Sequence, residues 1–316
     1  MPGISVSKIC VPFGGGGINW SSYWATLISA TVETAAPTHV VLTFPTAASL
    51  TAADFTMDGF TISSASWTGA VLTLVIAEPV TVFHGDLVLT FDKTGTDTTV
   101  TNNVADDGNT IAWYNHETDL TLSGSDVTAW GNKAGAANDL TTAAGYPVIT
   151  ADGVFCNKTK MAVIGRKWTL NQPSSIYLYC KFEEQTNGRL FDCGDSLASG
   201  TIGFRGDAKD DLYMTSDNSN FLFTPVTTFN VFSLVRGRLN GANSTLQYED
   251  NAYEVRGSGN AGTGASNGIT LGGRADRYLS CNVTYKDVIV RGAADSDPVY
   301  DAIGHGIRYR NGFFLT

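Results

Sequence analysis

The chain has 316 residues, enough for two ordinary domains or one large β domain. A formal net charge of −10, with only 16% charged residues, repels a polyanion, and no basic-aromatic patch is present, so nucleic-acid binding is excluded. No apolar run approaches the ~18–20 residues of a membrane span, and five scattered cysteines without a CxxC pair exclude a zinc knuckle or a disulfide framework.

The chain opens MPGISVSKICVPFGGGGINWSSYW. It lacks the 7–15-residue apolar block of a secretory signal, which predicts a protein that stays in the cytoplasm unless it leaves within a larger particle. The glycine run is not a phosphate loop, because no Lys-Ser/Thr follows it. Pure linkers avoid large aromatics, which are sticky when exposed. Here Phe13, Ile18, Trp20, Tyr23 and Trp24 frame a flexible hinge, as in a segment that orders on a partner. Residues 1–26 therefore read as an anchoring arm. The alternative makes INWSSYWATL the first strand of the next domain and GGGG its lead-in.

From about Leu27 the sequence turns to short Val/Leu/Thr/Phe runs, VVLTF, VLTLVI and LVLTF, punctuated by Pro, Asp-Gly and Thr-Gly turns. These are strand cores that could lie side by side in a small sandwich. The stretches APTHVVLTF, ADFTMDGFTISSASWTG, VLTLVIAEPV and HGDLVLTFDK resemble the bacterial Ig-like domains, which implies a spacer or docking module over residues 27–104. TNNVADDGNT (101–110) is polar, acidic and turn-forming, and marks the boundary.

Residues 111–316 form one larger unit. Trp113, Tyr114, Gly124, Val127, Trp130, Asn132, Gly135, Asn138, Asp139, Leu140 and Pro147 resemble the start of the laminin-G-like, concanavalin A-like lectin domains. The likeness continues through SSIYLYCKFEEQTNGRLFDCGD, FNVFSLVRGRLNGANSTLQYEDNAYEV, NGITLGGRADRYLSCNVTYKDVIV and the tail DSDPVYDAIGHGIRYRNG, in the family's order. It implies a jelly roll of two stacked antiparallel sheets with a short C-terminal helix. The runs IYLYCKF, VFSLVRG, TLQYED and DVIVRG agree, being of strand length and apolar on one or both faces. The expected fold is all-β: an N-terminal arm, a small Ig-like β-sandwich, then a concanavalin A-like jelly-roll sandwich.

Catalytic chemistry is hard to find. A glycosidase needs two carboxyls, ~5–5.5 Å apart when retaining and ~6.5–9.5 Å when inverting, and no ExDxE-type strand occurs. The nearest approaches are Glu183-Glu184, Asp207/Asp210/Asp211 and Glu249-Asp250, which read as solvated loop charges. None of His39, His84, His116 and His305 is spaced as a metal pair. The chain therefore reads as a non-enzyme without an organic cofactor. Calcium stays open, with candidate loops at 206–211, 216–220 and 105–109, each of which also reads as an exposed turn. Cys10, Cys156, Cys180, Cys193 and Cys281 read mostly as buried thiols. Trp113 and Trp130 are expected in the core. Trp67, Tyr146, Tyr213, Tyr253 and Tyr278 are the possible sugar platforms, with Arg205 and Asp207 beside Tyr213 as a polar rim for a glycan.

The arm and the pairing of Ig-like and lectin-like segments resemble structural proteins of tailed-bacteriophage virions, such as head fibres, capsid decorations or tail-associated subunits. That resemblance implies assembly into a homo-oligomer with other virion proteins, location on the virion, and adhesion to host-surface or mucus glycans. The competing readings are a bacterial cell-surface carbohydrate-binding adhesin and a glycan-cleaving enzyme on the same fold.

Overall fold

The structure is a computed structural model and describes residues 18–159, 163–166, 170–183, 188–192, 201–204, 211–216, 222–225, 228–250, 254–264, 268–273 and 280–313. The fold is all-β and divides into two compact units. One comprises Met1–Pro79 and Asp86–Asn103, the other Val80–Gly85 and Val104–Thr316. Among the described residues no helix is long and apolar enough to cross a membrane.

The first unit begins with a one-turn helix, α1 (Trp20–Trp24), followed by β1 (Ser29–Glu33), β2 (Ala36–Thr43), β3 (Phe55–Thr56), β4 (Ile62–Thr68), β5 (Val71–Ile76), β6 (Leu87–Phe91) and β7 (Thr96–Asn103). Alternation sets the inward face: Val40 and Leu42 of β2, Leu72, Leu74 and Ile76 of β5, and Leu87, Leu89 and Phe91 of β6 are buried. The strands follow the order β3-β6-β7-β1-β2-β5-β4. β7 serves two partners in succession. Thr96–Val100 pairs antiparallel with β6, and Thr101–Asn103 then pairs parallel with β1.

INWSSYW forms neither a strand nor a free arm over its described part. Asn19 caps α1, its side chain accepting from the Ser22 N–H at 3.1 Å. The rings at positions 20, 23 and 24 share one side of a single turn. Trp24 stacks on Phe91 with centroids 4.5 Å apart and donates from Nε1 to Thr98 Oγ1 at 3.0 Å. Tyr23 stacks on Phe44 at 5.0 Å and donates its hydroxyl to the Thr46 carbonyl at 2.6 Å. Aromatic burial thus decides the local structure, and residues 20–26, read as arm, belong to the first unit's own fold.

The second unit contains β8 (Thr110–Asn115), β9 (Leu120–Ser123), β10 (Asp126–Trp130), β11 (Leu140–Ala144), β12 (Val148–Thr150), β13 (Gly153–Cys156), β14 (Val163–Arg166), β15 (Ser174–Phe182), β16 (Arg189–Asp192), β17 (Thr201–Phe204) and β18 (Asp211–Thr215). It continues with β19 (Leu222–Pro225), β20 (Phe232–Leu239), β21 (Ser244–Glu249), β22 (Glu254–Gly259), β23 (Ile269–Leu271), β24 (Val283–Arg291) and the helix α2 (Asp297–Arg310). One sheet runs β22-β21-β20-β15-β24, and β24 then pairs with both β8 and β13. The other runs β9-β10-β11-β14-β23-β16-β17-β18-β19. This is the expected jelly-roll sandwich.

β15 shows how its sequence serves two layers. Ile176, Leu178, Cys180 and Phe182 enter the core between the sheets, with Trp130, Leu212, Val235 and Tyr285. Tyr177 and Tyr179 point to the opposite face, where they pack with Leu234, Ile289 and with Tyr300, Ile303 and Ile307 of α2. Pro298 near the helix start, with Asp297 in its first turn and Arg308 and Arg310 in its last, suits the helix dipole. Trp130 lies in the core, whereas Trp113 is half-buried against the helix-side cluster. Cys156, Cys180 and Cys281 are buried, as expected; Cys10 and Cys193 lie outside the described residues.

Candidate functional site

The outward face of the second sheet, the one turned from the core, carries polar side chains in register. In β23, Ile269 and Leu271 face the core and Thr270 faces out; in β18, Leu212 and Met214 face in while Tyr213 and Thr215 face out. A register shift between Arg189 and Phe191 of β16 lets Leu190 and Phe191 both enter the core, leaving Arg189 and Asp192 on the outward side. Arg189 and Tyr213 both pair with Gly203 of β17, from opposite sides. Glycine contributes no side chain there, so the guanidinium reaches across β17 and lies over the Tyr213 ring, 5.0 Å from its centroid. Next along the face, Asp192 pairs with Thr270 and with Thr201, which pairs with Thr215. Gly165 of β14 completes the row: a Cβ there would meet the Ile269 carbonyl at 2.5 Å and Thr270 Oγ1 at 2.9 Å.

These groups are enclosed. Arg189 is 6% exposed, Asp192 2% and Tyr213 5%. Burial pushes the Tyr213 phenol above its ordinary 10; Arg189 draws it down and Asp192 pushes it up. A cation, a carboxylate, a phenol and the hydroxyls of Thr215 and Thr270 on one sheet face form a set that can bind hydroxylated and anionic groups.

Of the predicted glycan residues, Tyr213 belongs to this face; Arg205 and Asp207 lie outside the described residues, as do Tyr253 and Tyr278. Tyr146 is 50% exposed, and Trp67 is half-buried against Phe44 in the first unit. Of the anchor residues, Phe13 lies outside the described residues and Ile18 is exposed. Trp20 meets Phe91 edge-on, with Lys93 over its ring at 4.9 Å. Trp20, Tyr23 and Trp24 therefore have faces engaged by their own unit.

Two readings of charged residues are corrected. Glu249 and Asp250 are not solvated loop charges: both are buried. Glu249 ends β21 beneath α2, held by Arg236 at 3.2 Å and by Arg308. Burial, and then Arg236, bring the Arg308 guanidinium down to about 10. Asp250 accepts from the Tyr248 hydroxyl at 3.1 Å. The loop at 105–109, a calcium candidate, is closed by a side chain of the protein. Arg291 reaches Asp107 at 2.6 Å and Asp106 at 3.5 Å, and it also pairs with Asp295 at 2.9 Å. Partial burial pushes the Asp107 carboxyl up, but Arg291 and Asn109 outweigh it and bring it down to about 2. Most of 206–211 and 216–220 lies outside the described residues. Among the described residues no three His, Cys, Asp or Glu side chains come together as metal ligands.

Two contacts escape sequence reasoning. His84 and His305, 221 residues apart, meet at 2.9 Å. Asp287, wholly buried in β24, accepts from Trp113, Asn115 and Asn311 and pairs with Arg310 at 2.5 Å. Neither pairing leaves a local pattern. For Asp287 the available signal is a polar residue inside the otherwise apolar β24; His84 lies in a short 3-10 turn and His305 in α2, and they carry no such mark.

No known family profile and no curated protein matches the sequence. Similar solved structures include a GH54 a-l-arabinofuranosidase soaked with a cyclic sulfate inhibitor, at 13% identity and TM-score 0.45, covering 69% of this chain and 57% of that one. Another is the botulinum neurotoxin type G receptor-binding domain, at 11% and 0.46, covering 64% and 52%. A third is a mutant of Trypanosoma rangeli sialidase displaying trans-sialidase activity, at 14% and 0.41, covering 66% and 35%. The chain thus spans little more than half the length of the first of these, and the likeness is one of fold alone. Against the expectation of a non-enzyme, the similar solved structures include an arabinofuranosidase and a sialidase.

Proposed function

We propose that the second unit is a glycan-binding module and that the chain displays it as a structural subunit of a tailed-bacteriophage virion. The observation that carries the glycan reading is the outward face of the second sheet, where Arg189, Asp192, Tyr213, Thr215 and Thr270 gather on a lectin-type sandwich. The virion reading is supported by the sequence resemblance of the arm and of the Ig-like and lectin-like pairing. Copies arranged symmetrically on a particle would convert weak sugar contacts into avidity. Because Trp20, Tyr23 and Trp24 pack on their own unit, the anchor we propose lies in residues 1–18, Phe13 and Ile18 included.

The test has two arms. The full chain, displayed multivalently, is applied to a glycan array and to host cells; binding to neither ends the glycan reading. Mass spectrometry of purified virions is expected to find the protein, and its recovery from a bacterial envelope instead would point to the adhesin. A chain lacking residues 1–17 keeps Asn19 and α1, so it is expected to fold yet fail to enter the particle.

A further inference from the structure

Arg189 differs from the other buried arginines of the second unit. Arg236 has Glu249 and Arg291 has Asp295, each carboxylate itself buried. Arg189 is equally enclosed, yet among the described residues it forms no ion pair, and its Nε and Nη1 have no hydrogen-bond partner. Its guanidinium contact is the π face of Tyr213 at 5.0 Å. A ring quadrupole compensates a desolvated cation only in part, and the unused N–H groups are donors without an acceptor. The carboxylate of Asp192 is near enough to act on Tyr213, but it does not close on the guanidinium. The face therefore holds a positive charge that awaits an anion.

We propose that Arg189 is the anion-recognising residue of this face and that the ligand is an acidic sugar, whose carboxylate accepts from Nε–H and Nη1–H. This deepens the glycan-binding reading and rests on it. Charge-assisted hydrogen bonds to a carboxylate supply what the site lacks, and the threonine hydroxyls beside it suit the sugar's own hydroxyls. Because Nε and Nη1 are enclosed, the carboxylate reaches them only when neighbouring side chains part. Binding is accordingly slow, and little weakened by salt.

The experiment titrates the full chain with two acidic probes, a galacturonate tetramer and sialyllactose, each against its neutral counterpart, the carboxyl-reduced tetramer and lactose. The two arms separate uronic from sialic acids as the source of the carboxylate. The wild-type chain is expected to bind at least one acidic probe about tenfold more tightly than its neutral counterpart. Arg189→Met is expected to erase that preference, so that acidic and neutral probes bind the variant alike. The variant removes an unpaired buried charge, so its melting temperature stays level or rises. Equal binding of acidic and neutral sugars by the wild type overturns the proposal and leaves the glycan reading standing, as does an acid preference that survives in Arg189→Met. Binding of no sugar, acidic or neutral, overturns both.

Discussion

The Nε2–H of His84 donates to Nδ1 of His305 across 2.9 Å. The direction follows from the other ring nitrogen, since His84 Nδ1 accepts from the Thr81 N–H at 2.9 Å and so carries no proton. Burial, then His305 and Arg310, hold His84 far below its ordinary 6.5, at about 3.

Stability of the second unit is therefore expected to fall with pH in a definite window. The unfolded chain protonates His84 near 6.5 and the folded chain only near 3, so the unfolded state binds the extra proton between those values. The loss is up to about 1.4 kcal/mol per pH unit as pH drops below 6.5. Asp107, shifted from 3.8 to about 2, acts only lower down. Denaturant unfolding from pH 6.5 to about 4.5 reads the slope, and His84→Gln should flatten it. An unchanged slope in that variant would remove His84 as its source.

Glu249 is fully buried between two arginines. Replacing it by Leu leaves Arg236 and Arg308 facing each other without their shared carboxylate, an expected loss of about 3–5 kcal/mol. Adding Arg236→Met should recover part of it, because the stranded cation goes too. Equilibrium denaturation of the single and double variants forms the cycle, and equal losses in both would mean that the buried charge is not what costs stability.

Gly153 opens β13 at φ +138°, and a Cβ there would collide with the Tyr285 carbonyl of β24. The obstacle is backbone, so Gly153→Ala forces strands apart and is expected to cost roughly 1–3 kcal/mol. Thermal melting checks it, and a variant as stable as the wild type would show that the strand end yields freely.

Trp24 contributes packing to the first unit. Trp24→Ala removes the stack on Phe91 and the bond to Thr98, for an expected loss of about 3–5 kcal/mol. Asn19→Ala removes only the cap, about 1 kcal/mol. Were both substitutions equally mild, α1 would be an ornament on the unit rather than part of it.

The sequence was most informative where periodicity and burial coincide. IYLYCKF alternates between two apolar surfaces, and the structure uses both. The tail helix was legible through the resemblance of DSDPVYDAIGHGIRYRNG to the lectin-like family's closing helix, and the structure forms it over Asp297–Arg310. INWSSYW misled because its five-residue helix, WSSYW, is too short to show a period, and the distant rings of Phe44 and Phe91 explain its turn. GRLFDCGD was legible as a strand, but its Arg189 was not singled out: the contact with Tyr213 depends on a register that passes through Gly203. Glu249 and Asp250 looked like turn charges because the arginines that hold Glu249 come from β20 and α2, while Asp250 is taken by the Tyr248 hydroxyl of its own strand.

β24 carries a consequence for how the protein is made. It lies between β15 and β8, pairing Ile289 with both Tyr177 and Trp113, residues more than a hundred positions earlier in the chain. Until it emerges from the ribosome, β8 and β15 have no strand between them, and the tyrosines of β15 wait for α2 as well. Contacts of such long range close late and together. The second unit is therefore expected to acquire its protease resistance in a single step, once residues 283–310 are free, with no stable half-made form along the way.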